Sequence, residues 1–477
     1  MKNKLLPLDI EDYAKKFSGK ILLRQEIPLN DEQFQQLLTL QNFTPTPSII
    51  KKFPYYQCQR CGSRKRSLLP SFPCATCGKE HLYCRNCISM GRILECEPLY
   101  VWSGPSPAWE KHTSPCTWEG ELTPAQQKAA DRIEAVIGNN EKELLVWAVC
   151  GAGKTEMLFP GIAKGLEQGK RICIATPRAD VVRELKPRIQ KAFQHVTVQA
   201  LYGGSKDKEA DAQLLLATTH QLLRFKQAFD VMIIDEVDAF PYHKDPSLPF
   251  AAERAKTDAS STIYLTATPR KEHQLRMDRK QLPHVFVPLR YHGHPLPVPQ
   301  MKMTFSLRKD LRNHEPPSAF LSWLQKRENP KRQLLIFVPT IAMAENLYEN
   351  IAKLLLQEKV IQTNKEITFV HAEDPDRAKK VQRFRDREIT VIITTTILER
   401  GVTFPSVDVA VIDAGHDVFD EAALVQIAGR AGRSADDPTG EVIFFHDGKT
   451  EAMVQAIRAI QKMNKRGGEL HGMPMVR

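Results

Sequence analysis

The apolar run Glu143 to Val149 leads directly into Cys150-Gly151-Ala152-Gly153-Lys154-Thr155, and this junction constrains the fold more than any other stretch. A loop that cradles phosphate needs backbone N–H groups converging where a strand ends and a helix begins, so the glycines predict strand, tight turn and helix in that order. A strand–loop–helix unit buries its faces in a parallel sheet covered by helices. The sequence provides the other strands: short apolar runs at Arg171 to Ala175, Val196 to Leu201, Leu214 to Ala217, Val231 to Asp235 and Thr262 to Thr266 alternate with helical stretches. A second series, Leu334 to Val338, Ile367 to Val370, Val391 to Thr395, Val407 to Ile412 and Val442 to Phe445, follows the linker-like His292-Gly293-His294-Pro295-Leu296-Pro297-Val298-Pro299. The expected fold class is α/β, with two tandem parallel-sheet domains at 122–290 and 301–477 and a linker at 291–300. A chain of 477 residues is too long for one hydrophobic core and has room for both.

The chemistry follows from what stands at the strand ends. Lys154 is placed for the β and γ phosphates of ATP and Thr155 for Mg2+, with Cys150, Gly151, Ala152, Gly153 and Glu156 completing the nucleotide contacts. A lone motif of this kind can be a chance loop, but the run Val231 to Ile234 ends in Asp235-Glu236 at the expected distance downstream. Asp235 can hold Mg2+ through water, and Glu236 can orient and deprotonate an attacking water. Upstream, Gln126 in Leu122-Thr123-Pro124-Ala125-Gln126 resembles a glutamine that reads adenine, although such a pattern alone is more often a helix cap.

In Gln426-Ile427-Ala428-Gly429-Arg430-Ala431-Gly432-Arg433, Arg430 and Arg433 are spaced like arginine fingers that neutralise charge growing on a γ-phosphate. Adjacent glycines are costly in a purely structural helix, which points to close backbone approach to a ligand. Thr395 to Thr403, including Gly401, follows a strand and resembles a segment that touches both nucleotide and nucleic acid, and Thr266-Ala267-Thr268 fits a hydroxyl-rich hinge.

A net charge of +11 favours a polyanionic partner, since clustered Lys and Arg release counterions from phosphates. With 42% hydrophobic and 26% charged residues the composition is that of an ordinary soluble protein. No apolar run is long enough to span a bilayer, and Met1 to Pro7 lacks a signal-peptide core, so a cytoplasmic protein is expected.

Eight of the ten cysteines precede residue 120, and six form three Cys-x-x-Cys pairs, Cys58/Cys61, Cys74/Cys77 and Cys84/Cys87. In a cytosolic chain this spacing suggests Zn2+ held by thiolates rather than disulfides or a redox pair, which would need its own strand and helix context. Six candidates exceed one zinc ion's four ligands. The region divides into a segment at 1–50 with one helix expected around Glu32 to Leu40, a zinc module at 51–97 and a Pro/Trp-rich connector at 98–121. Arg60, Arg64, Lys65 and Arg66 beside Tyr55 and Tyr56 form either a phosphate and stacking surface or a solvated face.

The order of these motifs over roughly 122–450 resembles superfamily 2 helicases and translocases. That resemblance implies two RecA-like domains, with Thr176-Pro177-Arg178, Gly203-Gly204, Thr218-Thr219-His220, Pro339-Thr340 and Thr395 facing the nucleic-acid backbone without reading bases. Cys58-Gln59-Arg60-Cys61-Gly62 together with Tyr83-Cys84-Arg85-Asn86-Cys87-Ile88-Ser89-Met90-Gly91-Arg92 resembles the ComFA family, DNA-uptake helicases of naturally transformable Gram-positive bacteria. The family implies a four-cysteine zinc module ahead of the motor, with the outer pairs as ligands. Cys74 and Cys77 then either replace a pair, complete a second site with His81 or Cys96, or stay unligated. Also implied are import of single-stranded DNA during transformation and action at the inner face of the membrane through the channel ComEC, with ComFC and DprA as partners; a homo-oligomer is left open. A PriA-like replication-restart helicase, an RNA helicase and an ATP-gated nucleic-acid clamp are the alternatives. PriA-type cysteines interrupt the second motor domain, Asp235-Glu236-Val237-Asp238 departs from the RNA-helicase Asp-Glu-Ala-Asp, and intact Glu236, Arg430 and Arg433 argue against a clamp.

Overall fold

A computed structural model describes residues 9–205, 207 and 211–471; the chain start read above, Met1 to Pro7, lies outside them. Two compact units divide the chain. The first holds the residues up to Leu122 with Gln127–Val146 and Thr155–Val285, and the second holds Thr123–Gln126, Trp147–Lys154 and the chain from Phe286 onward.

Ahead of the large sheets, eight short strands follow one another among the described residues: β1 (Ile21–Leu22), β2 (Phe43–Thr46), β3 (Ile49–Lys52), β4 (Tyr55–Cys58), β5 (Ser71–Pro73), β6 (Glu80–Cys84), β7 (Ile93–Leu94) and β8 (Leu99–Trp102). The expected helix forms at Asp31–Thr39, started by a reciprocal cap in which Asn30 and Gln33 exchange side-chain and backbone hydrogen bonds. With a second helix, Ile10–Phe17, it covers a three-stranded sheet in the order β1-β8-β2. Phe17, Phe34, Leu37, Phe43 and Trp102 form its core. The connector expected at 98–121 therefore begins with a structural strand: β8 pairs antiparallel with both β1 and β2, so Trp102 closes a small domain rather than bridging two. The cysteines lie on two further pieces, the hairpin β3-β4 and the ribbon β5-β6-β7.

The first large sheet has seven strands, β9 (Glu143–Ala148), β10 (Ile172–Thr176), β11 (Val198–Leu201), β12 (Leu214–Thr218), β13 (Phe229–Ile234), β14 (Lys256–Thr266) and β15 (His284–Val287), in the order β11-β12-β10-β13-β14-β9-β15. From β11 to β14 each adjacent pair is parallel. Every residue of β10 and β12 is buried, which is why these strands read as unbroken apolar runs instead of alternating ones.

The second large sheet has six strands, β16 (Gln300–Met303), β17 (Gln333–Phe337), β18 (Ile367–Val370), β19 (Val391–Thr394), β20 (Val407–Ile412) and β21 (Val442–His446), in the order β16-β21-β20-β17-β19-β18, all parallel. Thr340 caps the helix Ile341–Gln357 that follows β17, its hydroxyl accepting from the Met343 N–H at 3.1 Å. The expected strands are all present. Two that the sequence did not signal, β15 and β16, stand at sheet edges, where fewer apolar residues are needed to bury a strand, and β16 begins at the end of the expected linker. Among the described residues no helix is long and apolar enough to cross a membrane.

Candidate nucleotide site and metal centres

Within the second unit, the phosphate loop has the shape its glycines predict. Gly151 and Gly153 adopt φ of +80° and +71°, a region that a side chain would strain, and a helix begins at Lys154. The buried Gln126 donates from Nε2 to the Ala152 carbonyl at 2.9 Å and accepts the Thr123 N–H at 2.7 Å, while its own N–H points at the Thr123 hydroxyl. The helix-cap geometry is thus formed, and the side chain expected to read adenine braces the loop. Reading adenine from this position requires Gln126 to share its amide.

The glycines of 426–433 have protein neighbours as their reason. A Cβ on Gly429 would sit 2.5 Å from the Cβ of Cys150, and one on Gly432 would lie 2.2 Å from the Pro438 carbonyl oxygen. Close approach is real, but it is made to the phosphate loop and to the chain's own backbone. Cys150 also donates from Sγ to Gln426 Oε1 at 3.0 Å.

The two arginines expected to reach a γ-phosphate differ. Arg430 is 2% exposed and donates to the Glu399 carbonyl at 2.9 Å and to the Val402 carbonyl. Arg433 is half-buried, with longer bonds of 3.1–3.2 Å to Gly429, Val402 and Thr403. Both brace the segment that carries Gly401, itself at φ +71°. Sequence reasoning missed Arg290, which donates to the Ala431 and Pro438 carbonyls at 2.9 and 3.0 Å and so pins this segment from the start of the linker. Burial, then the positive charge of Arg433, pushes the Arg290 guanidinium down to about 10.

In the first unit, β13 delivers Asp235 and Glu236. The Asp235 N–H donates to the Ala175 carbonyl at 2.8 Å, and Asp235 Oδ1 accepts the Glu236 N–H at 2.9 Å. Glu236 has φ +56°, a left-handed backbone that disfavours a side chain by about 1–3 kcal/mol and tends to occur at functional positions. Its Oε2 is buried and has no hydrogen-bond partner among the described residues. A strained carboxylate whose buried oxygen has no partner among the described residues fits a group that must accept a proton from water.

Asp238, to which the motifs assign no role, is fully buried and accepts both the Thr266 and Thr268 hydroxyls at 2.6 Å. The acidic segment is therefore wired directly to the hydroxyl-rich segment expected to act as a hinge. Thr155 is buried, and Glu156 pairs with Arg188 at 2.5 Å.

The residues expected on nucleic acid are split. Gly203 and Gly204 are exposed with open space around them, whereas Thr176 and Thr219 are completely buried and Thr218 nearly so. Those threonines are not displayed to a surface polyanion here. Thr340 is exposed and Thr395 half-buried. Arg60 is likewise withdrawn from any DNA surface: it is fully buried and holds Glu26 at 2.7 and 2.9 Å. Arg64, Lys65 and Arg66 remain exposed, with Arg64 stacked 4.8 Å from the Tyr55 ring centre.

The outer cysteine pairs converge. The sulfurs of Cys58, Cys61, Cys84 and Cys87 lie within 4.8 Å of one another, with Cys58–Cys87 at 3.9 Å and Cys61–Cys84 at 3.5 Å. A tetrahedral zinc ion about 2.3 Å from each sulfur requires edges of about 3.8 Å, so the set fits that ion. Cys74 and Cys77 do not join this set; they converge with Cys96.

Comparison with known proteins finds three family matches along the chain. Residues 8–101 match the Competence protein ComFA N-terminal domain, 119–271 the Type III restriction enzyme res subunit, and 317–435 the Helicase conserved C-terminal domain. The helicase domains imply nucleotide and Mg2+ use and nucleic-acid binding. Among solved structures, Saccharomyces cerevisiae Dbp5 bound to RNA and ADP BeF3 aligns over 72% of this chain and 91% of that one, with TM-score 0.52 and 19% identity. Mycobacterium smegmatis helicase Lhr bound to single-stranded DNA and AMP-PNP aligns over 73% and 50%, with TM-score 0.51 and 16% identity. These two support the tandem RecA-like fold. Competence protein ComFA of Bacillus subtilis strain 168 is 45% identical over 444 residues, 93% of each chain. That of Streptococcus pneumoniae strain ATCC BAA-255 / R6 is 37% identical over 454 residues, 95% of this chain and 98% of that one. With identity at this level along nearly the whole length, the chain belongs to the ComFA family of competence proteins.

Proposed function

We propose that this protein is a DNA-dependent ATPase that translocates single-stranded DNA and drives its import across the cytoplasmic membrane during natural transformation. The observation that carries the reading is Glu236, a strained acid with an unpartnered buried oxygen, two residues before an aspartate bonded to both hydroxyls of the hinge. In this reading Lys154 would hold the β and γ phosphates of ATP, and Thr155 and Asp235 would hold Mg2+, which would supply positive charge against the phosphates. Glu236 takes the proton of the attacking water. Asp238 passes the resulting shift of the acidic segment to Thr266 and Thr268. Arg433, less buried and more loosely bonded than Arg430, is the better placed to release its carbonyls and answer charge on the γ-phosphate, with Arg430 keeping the supporting segment in shape. The outer cysteine pairs, Cys58/Cys61 and Cys84/Cys87, would hold one structural zinc ion. Import would place the protein at the inner face of the membrane with the channel ComEC, ComFC and DprA, the partners that family membership suggests.

ATP hydrolysis measured with single-stranded DNA, duplex DNA and RNA tests this. Single-stranded DNA should stimulate turnover most, and Glu236→Gln should lower it at least about 100-fold with binding retained. Binding without stimulated turnover indicates a clamp, and preference for RNA removes the transformation role. Cells carrying Lys154→Ala should grow normally and fail to transform; normal uptake of DNA by that strain defeats the proposal.

A further inference from the structure

Cys74 and Cys77 sit on a turn that repeats the first zinc turn bond for bond. In the first, the Cys58 N–H donates to the Ser63 carbonyl at 3.0 Å, the Gly62 N–H donates to the Cys58 carbonyl at 2.9 Å, and Gly62 has φ +73°. In the second, the Cys74 N–H donates to the Lys79 carbonyl at 2.9 Å, the Gly78 N–H donates to the Cys74 carbonyl at 2.8 Å, and Gly78 has φ +69°. Each turn starts at the end of a short strand, β4 in one case and β5 in the other. A Cβ on Gly78 would meet nothing, so crowding does not explain a glycine there, whereas the turn's left-handed backbone does.

The ribbon brings the remaining donors to this turn. β6 pairs with β7 through Tyr83–Leu94 and Cys84–Ile93, and the Glu95 N–H continues the pairing to the Leu82 carbonyl at 2.9 Å. Cys96, the next residue, arrives beside the turn: its sulfur is 3.8 Å from that of Cys74, and the sulfurs of Cys74, Cys77 and Cys96 lie within 4.8 Å of one another. The 3.8 Å separation is the edge of a zinc–thiolate tetrahedron. His81, on β6, stands outside that set but places Nε2 3.1 Å from Cys77 Sγ. Its other nitrogen, Nδ1, faces Glu95 Oε2 at 3.8 Å. A ligating histidine commonly has a carboxylate on its second nitrogen, which orients the ring and raises its basicity.

We infer that Cys74, Cys77 and Cys96 bind a second zinc ion, with His81 Nε2 as the fourth ligand, so that each chain carries two zinc ions in different donor sets. This goes beyond a four-cysteine module and does not depend on the motor assignment.

Zinc content of the full chain, purified under reducing conditions and freed of loosely held metal, tests it. Wild type should carry two zinc ions per chain, and Cys77→Ser and Cys96→Ser should each lose half the metal while keeping the wild-type circular dichroism. One zinc ion in wild type, or no loss in both variants, overturns the inference, as does a Cys74–Cys96 disulfide in the reduced preparation. Cobalt titration of the metal-free wild type needs no variant. Two equivalents should bind with two distinct visible spectra, one of four sulfurs and one of three sulfurs and a nitrogen, and saturation at one equivalent with a four-sulfur spectrum overturns the inference.

Discussion

The two cysteine clusters are built on the same turn and sit in opposite surroundings. Cys58, Cys61, Cys84 and Cys87 are at most 1% exposed and share one apolar cluster with Leu222, Phe225, Phe229 and Ala251 beneath the first large sheet. Phe250 lies against Gly62, and Arg254, from the same helix Ser247–Ala255, donates to the Gln59 carbonyl at 2.6 Å and to that of Arg60, as well as to those of Leu223 and Phe225. Glu26 adds a further tie by accepting both Arg60 and Arg224. At the other cluster Cys74 is buried, but Cys77 and Cys96 are exposed, as are Thr76 and Lys79 beside them. One turn is a strut inside the core under the first large sheet and the other lies on the exposed side of the ribbon. A cysteine motif therefore says which donors are offered but not how much of the fold leans on them.

That contrast can be broken most severely at the buried cluster. Cys61→Ser should leave three thiolates without a tetrahedron in a dry core, and because structural zinc contributes about 10–16 kcal/mol of apparent binding free energy to small zinc domains, loss of soluble full-length protein is expected. Recovery of Cys61→Ser protein with an unchanged melting temperature would end the comparison. A smaller effect belongs to Arg254→Met, which keeps the stem and removes the donors to five backbone carbonyls, those of Gln59, Arg60, Leu222, Leu223 and Phe225. With about 1–3 kcal/mol for each buried group left unpaired and partial relaxation, about 3 kcal/mol of destabilisation is expected in urea unfolding, together with faster proteolysis within 50–100. The effect should be smallest at the exposed cluster. Cys96→Ser should change global unfolding by less than about 1 kcal/mol, since the ribbon's apolar contacts remain. A chelator should likewise strip metal from this cluster first, read as two release phases by a zinc dye; simultaneous release from both clusters would erase the distinction.

The same gap between motif and setting recurs at the nucleotide site. Strand, loop and acid pair were legible because each is local: glycines at 151 and 153 and an acid pair closing an apolar run need no knowledge of what lies beside them. Asp238 and Arg290 were not legible, since a buried aspartate matters through Thr266 and Thr268, about 30 residues on, and an arginine through carbonyls more than 140 residues away. The glycines at 429 and 432 show a local signal correctly detected and wrongly explained: small residues announced a close approach, and only the fold disclosed that Cys150 and Pro438 make it. Strand β8 was hidden for a related reason, because Leu99–Trp102 has no partner nearby in sequence and finds β1 and β2 from much earlier in the chain.

By itself, the amino-acid order determined the α/β class, the tandem sheets, the glycine loop after β9, the acid pair that ends β13 and the number of cysteine turns. These depend on periodicity and on backbone conformations that single residues dictate. Tertiary structure alone decided which sulfurs meet, which arginine is locked and which hydroxyls are hidden. Those outcomes depend on distances between segments far apart in the chain, set by burial and by hydrogen bonds that must be satisfied once water is excluded.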